Sequence, residues 1–238
     1  MNMLSIYRTV TAAAAAAFVL ATPAVAQGKL GVTDPAAYLL DEAEEIELSR
    51  SAAPASISAD ATVLVLSADG SYRTASEGTN GWTCFTGRSW TGPAPMKDGR
   101  RVWNEAHFDP ELRAPQCFNA AATPSLLMLH RLTTWKFMQG ASTEEVDSEV
   151  GQALAGGKIQ PPGMGAMSYM YSPKQVLTPG GGRFMPHVML YTPYVTQDAF
   201  GPRDSSLTVP LVTEGGSVFA TTVIVSSKWS DGSPAMGH

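Results

Sequence analysis

Residues Thr62-Val63-Leu64-Val65-Leu66 are five consecutive β-branched or apolar side chains, and this run constrains the fold more than any other stretch. A half-exposed strand alternates apolar and polar residues, so an unbroken run predicts a strand covered on both faces. Turn signals surround it. Asp69-Gly70 predicts a hairpin returning over 71–76, and Asn80-Gly81 a second turn leading into Trp82-Thr83-Cys84-Phe85. Residues 62–85 therefore read as a three-stranded meander. Residues 86–116 carry no clear periodicity but hold Trp90, Trp103 and the basic cluster Lys97, Arg100 and Arg101. A loop of that length is either functional or wraps a core.

Helical patterns lie on either side. Asp34-Pro35 supplies a capping residue and a proline at the first helical position, and Leu39, Ala43 and Ile46 recur at helical spacing, which predicts a helix to about Leu48. Its acidic residues Asp41, Glu42, Glu44, Glu45 and Glu47 read as a solvated face. Thr123-Pro124 opens a second helix running toward Gly140, with a broad apolar arc expected of a largely buried segment. Ser142 followed by Glu145 is a capping box, and Val146, Val150 and Leu154 lead to a stop at Gly156-Gly157. Strands are expected at 166–171, at His187–Tyr191, and as a hairpin of 207–212 with 218–225. Gly180-Gly181-Gly182 lacks the Lys-Ser/Thr of a phosphate loop and reads as a flexible connection.

About three helices and seven strands, grouped instead of alternating, predict an α+β single domain with a mainly antiparallel sheet. The 238 residues, 44% hydrophobic and 16% charged, suit a globular chain. A formal net charge of -5 argues against a nucleic-acid partner, which calls for a basic face.

The amino terminus sets the compartment. Arg8, the apolar run from Thr11 to Ala21 and Ala24-Val25-Ala26 read as a secretory signal peptide over 1–26. The run is too short to span a bilayer, which takes about 20 apolar residues. The expectation is a domain over 27–238, periplasmic or secreted, with no membrane span after cleavage. Export gives Cys84 and Cys117 a meaning: an oxidising compartment favours a disulfide between two lone cysteines. Closing that loop would stabilise by about 3–4 kcal/mol on the loop-entropy model. Two free thiols or an incipient metal site are the alternatives, although no CxxC spacing is present.

Catalytic motifs are absent: the chain has no GxSxG, HExxH or SxxK, and no catalytic residue is assigned. Of the four histidines, His238 is terminal, and His130 within the apolar helix reads as a satisfied core side chain. Glu105, His107 and Asp109 would share one face if extended, an arrangement able to orient a general base or hold a hard cation. The most unusual pattern is Met185-Pro186-His187-Val188-Met189, which puts Met185, His187 and Met189 on one face of a strand. Thioethers and imidazole suit Cu(I), so copper is the one cofactor the sequence suggests. Methionine is also a common gap-filler in cores. Nearby Met164, Met167 and Met170 follow at a spacing of three, which alternates faces on a strand.

The segments Asn80-Gly81-Trp82-Thr83-Cys84, Ala114-Pro115-Gln116-Cys117-Phe118-Asn119, Gly165-Ala166-Met167-Ser168-Tyr169-Met170 and Pro186-His187-Val188-Met189-Leu190-Tyr191 together resemble an uncharacterised family of bacterial exported proteins. The resemblance spans roughly 52–230 and brings no activity and no catalytic residues with it. It implies a Cys84–Cys117 pairing and directs attention to His187. The segment of roughly 87–112 is longer here than in some members. The reading that follows is an exported, non-catalytic protein of the cell envelope that binds a partner protein or small ligand. Cu(I) handling through Met185, His187 and Met189, and a hydrolase-like enzyme with an unrecognised site, are the alternatives.

Overall fold

A computed structural model describes residues 30–98 and 100–235. The expected signal peptide, Gly99 and the terminal 236–238, with His238, lie outside the described residues. In chain order the regular elements are α1 (Glu42–Arg50), α2 (Ala55–Ser58), β1 (Thr62–Leu66), β2 (Tyr72–Ser76), β3 (Thr83–Gly87), β4 (Met96–Lys97), β5 (Arg100–Arg101), β6 (Ala114–Phe118), α3 (Met128–Met138), α4 (Thr143–Ala155), β7 (Met167–Met170), β8 (His187–Tyr191), β9 (Leu211–Thr213) and β10 (Thr221–Val225). β4 and β5 pair with each other. The remaining eight strands form one sheet in the order β2-β1-β3-β6-β7-β8-β10-β9. Every neighbouring pair is antiparallel except β1 and β3. The fold is α+β with one large sheet, as the grouping of helices and strands indicates.

The expected helix from Asp34 is two pieces. Asp34 caps only a 3-10 turn over Pro35–Tyr38, and Asp41 then caps α1. The expected meander is also corrected. Asp69-Gly70 does close a hairpin: Gly70 sits at φ +79°, and a Cβ there would come within 2.5 Å of the Met138 Cβ, so only glycine fits. The chain then passes behind the start of β1 instead of returning along β2. At Gly78 a Cβ would lie 2.1 Å from the Thr62 nitrogen, so the crossing depends on the missing side chain. Trp82 O accepts from Thr62 N at 2.9 Å, and β3 is delivered parallel to β1 on its far side.

β1 is covered on both faces, as its composition demands. Val63 shares a face with Cys84, and Leu64 with Phe85. The first face is covered by α1, whose Ser49, with Ala52 and Ala53 just beyond, sits close to the sheet because these side chains are small. Ser49 Oγ and Thr86 Oγ1 are 2.9 Å apart, and Cys84, Cys117, Ala52, Ala53 and Ala61 form one cluster. The second face carries the main core, where Leu64, Leu66, Phe85, Phe118 and Tyr191 meet Leu126, Leu129, Phe137 and Val146 from the helical side. The capping box is present: Ser142 Oγ accepts from Glu145 N, and Glu145 accepts from Ser142 N. Gly156 ends α4.

The long segment between β3 and β6 wraps the core. Trp90 is fully buried and donates through Nε1 to Thr134 Oγ1 at 2.9 Å. Cys84 and Cys117 face each other across β3 and β6 and are joined as a disulfide.

Candidate functional site

On the α3 side of the sheet, beyond the main core, lies a cavity of about 300 Å³. Its floor is the inward face of five strands, β6 to β10, with β9 contributing Leu211 and Thr213. Side chains alternate along a strand, so β6 contributes Ala114 and Gln116, β8 contributes His187, Met189 and Tyr191, and β10 contributes Thr221 and Val223. Met170 of β7 lies between them. Leu126 and His130, one helical turn apart, form the roof; segments 88–93 and 176–184 supply the sides.

The register fixes the floor. Cys117 pairs with Tyr169, so one step on Gln116 faces Met170, and Met170 pairs directly with His187. Gln116, Met170 and His187 thus form one row across three adjacent strands. Neighbouring strands lie about 4.8 Å apart, which separates the Gln116 and His187 backbones by roughly 10 Å.

Most of the wall is apolar, but three polar side chains stand out. Gln116 is 3% exposed, His130 5% and His187 5%. Among the described residues none hydrogen-bonds the Gln116 amide, either ring nitrogen of His130, or Nε2 of His187. His187 Nδ1 lies 2.7 Å from the Met185 carbonyl oxygen. A carbonyl only accepts, so Nδ1 carries the proton and the Nε2 lone pair is the free acceptor. His130 Nδ1 and the Oγ of Ser89, which also lines the cavity, are buried without a partner, at a cost of roughly 1–3 kcal/mol for each group; Gln116 and His187 turn their open atoms to the cavity space.

The charges near the cavity are compensated. Arg101 pairs with Glu214 at 2.9 Å, joining the β5 strand to the turn between β9 and β10. Arg88 is fully buried, donates to Tyr38 O at 2.8 Å and pairs with Glu45 at 2.8 Å. Burial pushes the His130 imidazole down to about 3, with Arg101 adding to the effect. Burial likewise lowers His187, against the opposing pull of its bond to Met185. Both rings are neutral at physiological pH, so the cavity presents neutral hydrogen-bonding groups beside apolar walls and no unpaired charge.

Several sequence expectations are altered by this geometry. Of the strand trio, His187 and Met189 reach the cavity, whereas Met185 precedes β8 and is not part of its lining. Met170 takes the neighbouring place beside His187, while Met164 is fully exposed. His130 is buried as expected, but it is not a satisfied core histidine. Glu105, His107 and Asp109 do not share an extended face: Glu105–Phe108 is a 3-10 turn capped by Asn104, whose Oδ1 lies 2.8 Å from His107 Nδ1. Glu105 points into solvent while His107 packs edge-on against Trp103, which removes the alignment needed for a general base. Glu45 is not on a solvated face; it is 1% exposed.

No family model, curated protein or solved structure matches the chain. The site therefore stands on its own geometry. No group of three or more His, Cys, Asp or Glu among the described residues could hold a metal ion. No described helix is long and apolar enough to cross a membrane. A larger depression, about 570 Å³, lies against β2, α3 and α4 and includes exposed Trp135 and Met128. Its one buried polar lining residue, Tyr72, already donates to Thr86 O at 2.8 Å, so it lacks the unengaged groups that distinguish the cavity.

Gln116 was the residue that sequence reasoning missed. It sits between Pro115 and Cys117, and the signal was available: a glutamine two residues from Phe118 on the inward face of a strand is a polar group at a core position.

Proposed function

We propose that this chain is an exported protein that binds a small, uncharged, largely apolar ligand in the cavity and does not transform it. The observation that carries the reading is the set of three buried polar side chains, Gln116, His130 and His187, each with a hydrogen-bonding atom that has no partner among the described residues, collected on one cavity of about 300 Å³. Ligand sites have this character: mostly apolar walls, a few convergent polar groups, and volumes from about 300 Å³ upward. Export to the periplasm or cell exterior is supported by the amino-terminal sequence and by the disulfide, which an oxidising compartment maintains. The motifs around Cys84, Cys117 and His187 support kinship with the bacterial exported family described above.

The test is fluorescence titration with N-phenyl-1-naphthylamine, an uncharged apolar reporter. Wild type is expected to show saturable enhancement at one site. Ala114→Phe, which fills the cavity from β6, should lose that enhancement while its far-UV circular dichroism stays the same. Absence of enhancement in wild type, or undiminished binding by Ala114→Phe, overturns the reading.

A second reading, Cu(I) handling, is favoured by one observation: Met170 pairs directly with His187, and Met189 lies on the same face. The bond from His187 Nδ1 to a backbone carbonyl is the orientation that presents Nε2 to a metal. Anaerobic Cu(I) loading should give one equivalent in wild type and none in His187→Ala or Met170→Leu; equal copper in all three ends it.

A further inference from the structure

The row Gln116–Met170–His187 says which polar head the ligand carries. This inference rests on the ligand-binding reading and deepens it. Gln116 offers one acceptor and a donor side by side. His187 offers one acceptor, because its Nδ1–H is committed to Met185 O. The two backbones stand roughly 10 Å apart with Met170 between them, room for a small planar group lying over the Met170 thioether. We propose that the cavity selects an aliphatic carboxamide. Its carbonyl oxygen accepts from Gln116 Nε2, one N–H donates to Gln116 Oε1, and the second N–H donates to His187 Nε2. The tail runs along Val223, Leu211 and Phe219.

The charge arrangement excludes the obvious competitor. A fatty carboxylate needs a cation, and both nearby guanidinium groups already have carboxylate partners, Arg88 with Glu45 and Arg101 with Glu214. A carboxylate brought beside Gln116 would meet one donor and two acceptors, and it would lose its hydration without a counter-charge. An alcohol fits the charge requirement but supplies one donor and one acceptor group, so it cannot engage Gln116 and His187 as fully.

The experiment is displacement of bound N-phenyl-1-naphthylamine by three probes of equal chain length: octanamide, octanoate and octan-1-ol. Octanamide should displace the reporter at a concentration at least tenfold lower than the other two. In Gln116→Leu, with the reporter's own affinity measured for that variant and used to scale the displacement, the preference should be lost, so that octanamide and octan-1-ol become equivalent. The leucine replaces an amide that faces the cavity and makes no hydrogen bond to the described residues, so its thermal unfolding should be no lower than wild type, which separates lost recognition from lost fold. Equal displacement by octanoate or octan-1-ol in wild type, or a preference that survives in Gln116→Leu, overturns the carboxamide assignment while leaving the cavity a ligand site. A wild type that binds no reporter overturns both.

Discussion

Arg88 and Glu45 form an ion pair with both side chains out of water, and the guanidinium also donates to the backbone at Tyr38 O and Thr86 O. Such a pair contributes little net stability over an apolar replacement, because its desolvation offsets its attraction; removing one partner strands the other. Arg88→Met is therefore expected to lower stability by about 3–5 kcal/mol in urea unfolding. The double change Arg88→Met with Glu45→Leu should recover most of that loss. If the single and double variants are equally destabilised, the pair is not what ties α1 to the segment after β3. Glu45 could not be picked out among Asp41, Glu42, Glu44 and Glu47 beforehand, since five acidic residues around a short helix give no sign of which one turns inward. The inward one is decided by where Arg88 arrives, and that depends on a strand more than forty residues away in the sequence.

At the level of elements, β3 and β6 are joined twice, by ladder hydrogen bonds and by the disulfide between directly opposed residues. Replacing both cysteines by alanine should reduce stability by about 3–4 kcal/mol, the value expected for a loop of this length, measured by denaturant unfolding against the oxidised wild type. A loss well below 1 kcal/mol would mean that the sheet alone holds this pair of strands. Local patterns read correctly where the controlling chemistry is local. The capping box of Ser142 and Glu145 marks α4, and His187–Tyr191 is β8 with the same ends as the expected strand. They failed where a distant contact decides. Asn80-Gly81 announces a turn but not its destination, and only the close passage of Gly78 behind Thr62 shows that β3 lies beside β1. The site was legible in part for the same reason. His187 and Met189 follow from alternation along one strand, whereas Gln116, Met170 and His130 enter through register and helix placement.

At the scale of the whole molecule, His130 and His187 are held neutral inside the fold, and acid should weaken it early. His130 titrates near 3 in the fold and near 6.5 when exposed. A histidine with a depressed folded value stabilises the native state above pH 6.5, and that contribution is lost as pH falls below it, because the unfolded chain takes up the proton first. Between pH 7.5 and 5.0 the loss for His130 is about 2 kcal/mol, and His187, also lowered by burial, acts in the same direction. Glu45, which burial raises, acts in the opposite direction. It is common to wild type and His130→Gln, so comparing the two isolates the histidine. Urea unfolding at both pH values should show wild type losing about 2 kcal/mol more than His130→Gln; parallel losses would mean that His130 gains no proton on unfolding.

The position of the cross-link has a temporal consequence. Cys84 and Cys117 both fall in the amino-terminal half of the sequence, and the strands that follow, β7, β8 and then β10 with β9, add outward from β6 in nearly the order in which they occur. A polypeptide that emerges amino terminus first can therefore seal its covalent staple early. Each later strand then finds a finished template edge waiting, and the chamber floored by β6 to β10 is assembled last.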